Sequence, residues 1–141
     1  MIRILIADEN ALIRKGLSEI LSEDRDIELI GEFSCVDDLF AQIKMNNCDI
    51  VIFGIKIPGK NDIDNIVDIK RIQPAIKIII LTIDPAEEIA KRALLAGASG
   101  YLKKDSIAVE LIKAVRQVYN GGIYLNSSYS DSTISSIRDN K

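Results

Sequence analysis

The sequence predicts an α/β protein in which helices cover both faces of a doubly wound parallel sheet of five strands. Short apolar runs alternate along the chain with segments whose apolar residues recur at helical spacing. Most of these runs are rich in Ile, Val and Leu, as expected for strands that are buried on both faces. The 141 residues, 48% of them apolar, suit one domain with a single well-filled core.

Five strand and helix pairs follow one another in the sequence. The predicted strands are residues 2–7, 28–33, 50–53, 77–82 and 100–103. The segment Asp84-Pro85-Ala86-Glu87 has the form of a capping box and predicts the start of the fourth helix. Gly97 and Gly121 are placed where the last two helices should end, because glycine readily adopts the left-handed conformation that closes a helix.

The composition changes near the C-terminal end. After Gly122 the chain becomes polar and rich in serine, with only isolated apolar residues. Such a segment buries too little apolar surface to offset the entropy of ordering. We therefore predict a domain at residues 1–122 and a flexible tail or linker at residues 123–141.

Charge and residue content exclude several classes of function. The net charge is −3 and the charges are interspersed, so these residues are not expected to bind nucleic acid themselves. No signal peptide or membrane-spanning run is present, which predicts a cytoplasmic protein without membrane contact. The chain has no histidine, which excludes a Ser-His-Asp triad and a histidine-ligated zinc. Cys35 and Cys48 flank a predicted helix and are expected to be free thiols.

Polar residues follow the ends of several predicted strands. Asp8 and Glu9 follow the first strand, Gly54 follows the third, Thr82 ends the fourth, and Lys104 follows the fifth. Each has an ordinary explanation, since acids favour helix starts, Thr suits strands and Lys is usually solvated. Open parallel sheets, however, bind ligands beyond the carboxyl ends of their strands. The joint arrangement of these residues therefore predicts a binding site at the edge of the sheet where the strands end.

Four spaced segments carry a family resemblance. ILIADEN, DIVIFGIKIPG, IIILTI and AGASGYLKKDS resemble, in this order, the receiver domain of two-component response regulators over residues 1 to about 125. GYLKKDS and DIELIGE are most similar to the NarL/LuxR type of transcriptional regulator. The resemblance implies a flavodoxin-like (βα)5 fold with the strand order 2-1-3-4-5. It also implies that a histidine kinase or a small phosphodonor phosphorylates an Asp at the end of the third strand, aided by Mg²⁺.

The resemblance assigns roles to individual positions. It matches Asp8 and Glu9 to the acid pair that holds Mg²⁺, the Lys56 backbone carbonyl to a further metal ligand, Thr82 and Lys104 to the groups that read the phosphoryl oxygens, Tyr101 to the switch aromatic, and Gly54 to the phosphoacceptor. Gly54 departs from the family because it has no side chain. Phosphoryl transfer to protein requires a nucleophilic oxygen, so phosphorylation at the usual position is not expected.

The departure at Gly54 alters the expected electrostatics of the site. Only two acids remain to face Lys104, and Mg²⁺ depends on such oxygens, so the metal site should be weak or unoccupied. Lys104 is then expected to pair with Asp8 or Glu9. Asp62 and Asp64 most simply belong to the start of the third helix and are not expected to replace the acceptor.

The sequence thus favours a non-phosphorylatable receiver of a LuxR-type regulator that acts through protein contacts and is not an enzyme. A homodimer would use the face of the fourth helix, fifth strand and fifth helix, or the first and fifth helices. The first of these faces is expected to include Lys91, Arg92, Tyr101, Lys113 and Arg116.

Other partners and functions stay open at this stage. The resemblance implies DNA binding only through a helix-turn-helix domain that this chain does not show, and it leaves the histidine kinase undecided. Two alternative functions are phosphorylation on another carboxylate and sensing of a small ligand in the space vacated at Gly54.

Overall fold

The computed structural model describes residues 1–45, 47–55, 60–83 and 87–125. The elements are β1 (Ile2–Ala7), α1 (Ala11–Ser22), β2 (Ile27–Phe33), α2 (Val36–Met45), β3 (Ile50–Ile55), α3 (Lys60–Ile72), β4 (Lys77–Thr82), α4 (Glu87–Ala96), β5 (Gly100–Lys103), α5 (Ile107–Tyr119) and β6 (Tyr124–Leu125). A single 3-10 turn, Lys104–Ser106, joins β5 to α5. The predicted α/β class is confirmed. Most of the capping box predicted at 84–87 and residues 126–141 of the predicted tail lie outside the described residues.

All strands of the sheet are parallel, in the order β2-β1-β3-β4-β5-β6. The first five follow the predicted order 2-1-3-4-5, but the prediction of five strands was one strand short. Tyr124 and Leu125 form the additional strand, beyond Gly122 where the tail was predicted to begin. A strand of two residues is too short to give an alternation or an apolar run that the sequence could reveal.

Two apolar layers fix the helices on the sheet. The side chains of Val51, Phe53 and Ile80 face α2, α3 and α4, whereas Ile52 and Leu81 face α1 and α5. Because successive side chains of a strand point to opposite faces, almost every residue of β3 and β4 is buried. No helix among the described residues is long and apolar enough to span a membrane.

The two cysteines are free, as predicted. Cys35 is exposed, whereas Cys48 is partly buried and its thiol donates to the backbone carbonyl of Ile50 over 3.0 Å. Burial raises the pKa of the Cys48 thiol to about 11. Because the thiolate is the reactive form, Cys48 is inert at neutral pH.

An ion cluster joins α5 to the loop between α1 and β2. Arg116 Nη2 lies 2.5 Å from Asp24 Oδ2 and 3.2 Å from Asp26 Oδ2. The backbone N–H of Asp26 also donates to Asp24 Oδ1 over 2.9 Å. This N–H and then the Arg116 guanidinium lower the pKa of Asp24. Arg116, predicted for a partner face, is therefore already engaged within the fold.

Replacing Arg116 with Gln should change how stability depends on acid. The pKa of Asp24 is lower in the folded than in the unfolded protein. The stability that the Asp24 carboxylate contributes is therefore present above the unfolded pKa and is lost as the pH falls through the folded pKa. R116Q should therefore be less stable at pH 7 and should lose less further stability between about pH 5 and about pH 2. Urea midpoints of the unaltered protein and of R116Q, measured across this pH range, would show the difference. K113Q, on the same helix, is the control. Identical acid profiles for the two variants would contradict the role of Arg116.

Candidate functional site

The carboxyl ends of β1, β2 and β3 and the residue after β5 surround an open cleft of about 240 Å³. Four residues that the sequence analysis selected line it together: Asp8, Glu9, Gly54 and Lys104. Parallel strands bring their carboxyl ends to one edge, so residues far apart in sequence meet there. The predicted gathering of these four residues is present.

Asp8 is held rigidly at the base of the cleft. Its backbone N–H donates to Phe33 O over 3.0 Å, and its carbonyl accepts from Arg14 Nη1 over 2.7 Å. Its carboxylate Oδ1 accepts from the Asn10 N–H over 2.8 Å, while the Asn10 side chain caps α1. The sequence Asp8-Glu9-Asn10 thus fixes both the helix start and the orientation of the Asp8 carboxylate.

The other carboxylate oxygen of Asp8 meets Lys104. The Lys104 Nζ to Asp8 Oδ2 distance is 2.9 Å, and only 12% of the lysine side chain and 1% of the aspartate side chain are exposed. Asp8 Oδ2 accepts no hydrogen bond of good geometry from any described group, so the contact is a charge pair rather than an aligned hydrogen bond. The predicted pairing of Lys104 is confirmed. Removing one member of a buried pair typically costs about 3–5 kcal/mol, because the other charge is left without compensation.

Gly54 makes room for this pair. A Cβ atom placed on Gly54 would lie 2.6 Å from Asp8 Cγ and 3.1 Å from Asp8 Cβ, and closer still to Asp8 Oδ2. The backbone does not require glycine, because among the described residues only Gly97 and Gly121 have a positive φ. The Asp8 carboxylate therefore occupies the space that a side chain at position 54 would fill.

The remaining predicted site residues either do not line the cleft or lie outside the described residues. Thr82 is wholly buried at the end of β4 and does not line the cleft. Tyr101 is also wholly buried, packed in the layer beneath α4. In this conformation Tyr101 adds no exposed surface to the predicted partner face, because on β5 its side chain points into the core. Lys56 lies outside the described residues.

Three polar residues of the cleft were missed by the sequence analysis. Ser34 and Cys35 follow β2 directly, and Asn65 projects from α3. Ser34 and Cys35 could have been found, since β2 ends at the same edge as the other strands. Asn65 could not, because its position depends on how α3 packs. The neighbouring Asp64 is exposed and is not part of the cleft lining.

Substituting Gly54 by Ala should destabilise the protein through Asp8. Crowding of a packed site costs about 1–3 kcal/mol, which outweighs the roughly 0.4–1 kcal/mol expected from restricting the unfolded chain. We expect G54A to lower the free energy of unfolding by about 1 kcal/mol. In a D8A background the same substitution should be neutral or stabilising. Urea denaturation of the four proteins measures the coupling, and equal effects of G54A in both backgrounds would exclude the contact as the cause.

The sequence of this chain is similar to that of several response regulators. Residues 4–116 match the response regulator receiver domain family. The response regulator UvrY of Escherichia coli K12 is 33% identical over 127 residues, which cover 90% of this chain and 58% of UvrY. The DNA-binding transcriptional activator DevR/DosR of Mycobacterium tuberculosis is 28% identical over 138 residues, covering 98% of this chain and 64% of the activator. The chain spans less than two thirds of the length of these relatives.

Solved structures share the fold. A LuxR-family two-component response regulator from an Aurantimonas species superposes with a TM-score of 0.80 at 24% identity, covering 98% of this chain and 96% of that one. The isolated apo receiver domain of RcsB from Salmonella enterica serovar Typhimurium gives a TM-score of 0.83 at 21% identity and 99% coverage of both chains. With these matches, the chain belongs to the response regulator receiver domain family.

Proposed function

We propose that this domain is a receiver that does not accept a phosphoryl group at the usual position and that signals through protein contacts. The observation that carries the proposal is Gly54 at the carboxyl end of β3, facing the Asp8 and Lys104 pair. A glycine offers no oxygen to attack phosphorus. The lysine that would read a phosphoryl group is already neutralised by a carboxylate of the same chain.

The alternative of another phosphorylated carboxylate has less support. Asp8 Oδ2 is near the missing side chain, but it is buried and its charge is paired with Lys104. Asp64 is exposed but does not line the cleft. In-line transfer requires close and well-oriented groups, and neither carboxylate is both free and suitably placed.

The residues of the cleft fit Mg²⁺ poorly. Its protein carboxylates are Asp8 and Glu9, and Lys104 Nζ lies 2.9 Å from the Asp8 oxygen that would face a metal. The described residues contain no group of three His, Cys, Asp or Glu side chains placed to hold a metal ion. Mg²⁺ needs oxygens in octahedral geometry, and here a cation would have to compete with an ammonium group. We therefore assign no Mg²⁺ to this cleft.

Protein contacts remain the means of signalling that the surface supports. Arg92 and Lys113 are exposed on α4 and α5, and Leu95 and Val109 add exposed apolar side chains to the same helices. A second copy of the domain is the simplest partner, through the face of α4, β5 and α5 or through α1 and α5. Any contact with DNA would come from a separate DNA-binding domain, and a histidine kinase would find no acceptor oxygen at position 54.

Sensing of a small ligand is a second candidate. The cleft favours it because it is open and lined by polar groups such as Ser34 and Asn65. Its volume of about 240 Å³ is below the roughly 300–1,000 Å³ of typical ligand sites. Any ligand would therefore be small, and the protein-contact proposal has the stronger support.

Incubation with acetyl phosphate and Mg²⁺ followed by intact mass measurement tests the proposal. The protein should gain no phosphoryl adduct, because position 54 has no nucleophile. G54D should gain an alkali-labile adduct once Asp8 moves aside, whereas G54N, of similar size but without a carboxylate, should not.

A stoichiometric adduct on the unaltered chain would overturn the proposal. D8N would then show whether Asp8 is the acceptor, since the amide keeps the shape of the side chain and removes the attacking oxygen.

A further inference from the structure

The C-terminal strand β6 lies beside β5, the strand that directly precedes the cleft lysine. We propose that β6 is a detachable edge strand whose docking on β5 reports the state of the Asp8 and Lys104 pair to the chain beyond Leu125. This inference rests on the proposed function, in which the domain signals by conformation rather than by phosphoryl transfer. It assigns the route by which a change in the cleft reaches the rest of the chain.

Few contacts hold β6 in place. The Tyr124 N–H donates to Ser99 O over 2.9 Å, and Tyr124 and Leu125 pair with Gly100 and Tyr101. Leu125 is buried to 7% exposure and belongs to the layer that contains Tyr101. Because the strand has only two residues, its opening breaks few backbone hydrogen bonds and exposes little surface, which are the marks of a region that opens locally.

Side chains of α5 fix the path of the chain into β6. The Tyr124 hydroxyl donates to Glu110 Oε1 over 2.9 Å, and Gln117 Nε2 donates to Ile123 O over 2.6 Å. Desolvation and then Glu110 raise the pKa of Tyr124 to about 12, as expected for a hydroxyl held in this contact. The strand is thus specifically docked, although it is short.

A four-residue strand connects β6 to the cleft. Lys104 follows Lys103, the last residue of β5, and its ammonium is fixed on Asp8. Tyr101 of β5 pairs with Ile80 on one side and Leu125 on the other. Close-packed interiors respond to displacement by discrete repacking rather than by gradual deformation. Release of Lys104 would therefore allow β5 to shift and would weaken the packing of Leu125 against it.

Residue-resolved amide exchange of the whole chain measures this docking. L125A removes the apolar anchor and should speed exchange at the Tyr124 amide by roughly tenfold or more, with β1 and β3 amides unchanged. K104M should also speed exchange at Tyr124 and Leu125 more than at β1 and β3. D8N breaks the same charge pair without changing the shape of the side chain and should have the same effect. K113M is the matched control on α5 and should have none.

The outcomes separate this inference from the proposed function. If L125A leaves exchange at Tyr124 unchanged, β6 is not docked as a strand and the inference fails. If L125A acts but neither K104M nor D8N does, or if their effect equals that at β1 and β3, the cleft and β6 are not coupled and the inference also fails. Neither result bears on whether the chain accepts a phosphoryl group, which the labelling experiment decides separately.

Discussion

The buried charge pair between Asp8 and Lys104 is the interaction on which the arrangement of the cleft depends. It joins the end of β1 to the residue after β5, across the carboxyl ends of β3 and β4. Two charges can be buried this deeply only when each compensates the other. The space for this compensation exists because position 54 carries no side chain. The glycine and the ion pair are therefore one structural feature.

The pair also balances the charge of the cleft within the folded chain. A cleft that gathered carboxylates without a counter-charge would be destabilised by their repulsion, and a cation would be needed to relieve it. In this chain Lys104 supplies the positive charge from within the protein. Electrostatic balance is thus reached in the folded chain itself.

The fold could be predicted from the sequence because its signals are long and periodic. The strands around Ile4, Ile52 and Ile79 are buried on both faces and appear as apolar runs, and Gly97 and Gly121 end helices with the positive φ that the sequence suggested. The site was predictable where residues follow strands directly, as Asp8 and Lys104 do. Features that depend on packing were not, which is why the burial of Tyr101 and the cleft position of Asn65 emerged only from the structure. The short β6 has no signal of its own.

β6 has a consequence for the solubility of the domain. Without it, β5 would form the edge of the sheet, and its unpaired backbone groups, flanked by Tyr101 and Leu102, would be a template for pairing with another chain. With β6 in place the outermost strand has only two residues, too few to support such pairing. The same short segment therefore protects Gly100 and Tyr101 on this edge of the sheet from pairing with another chain. A protein cut before Tyr124 would be prone to self-association for reasons unrelated to its signalling state.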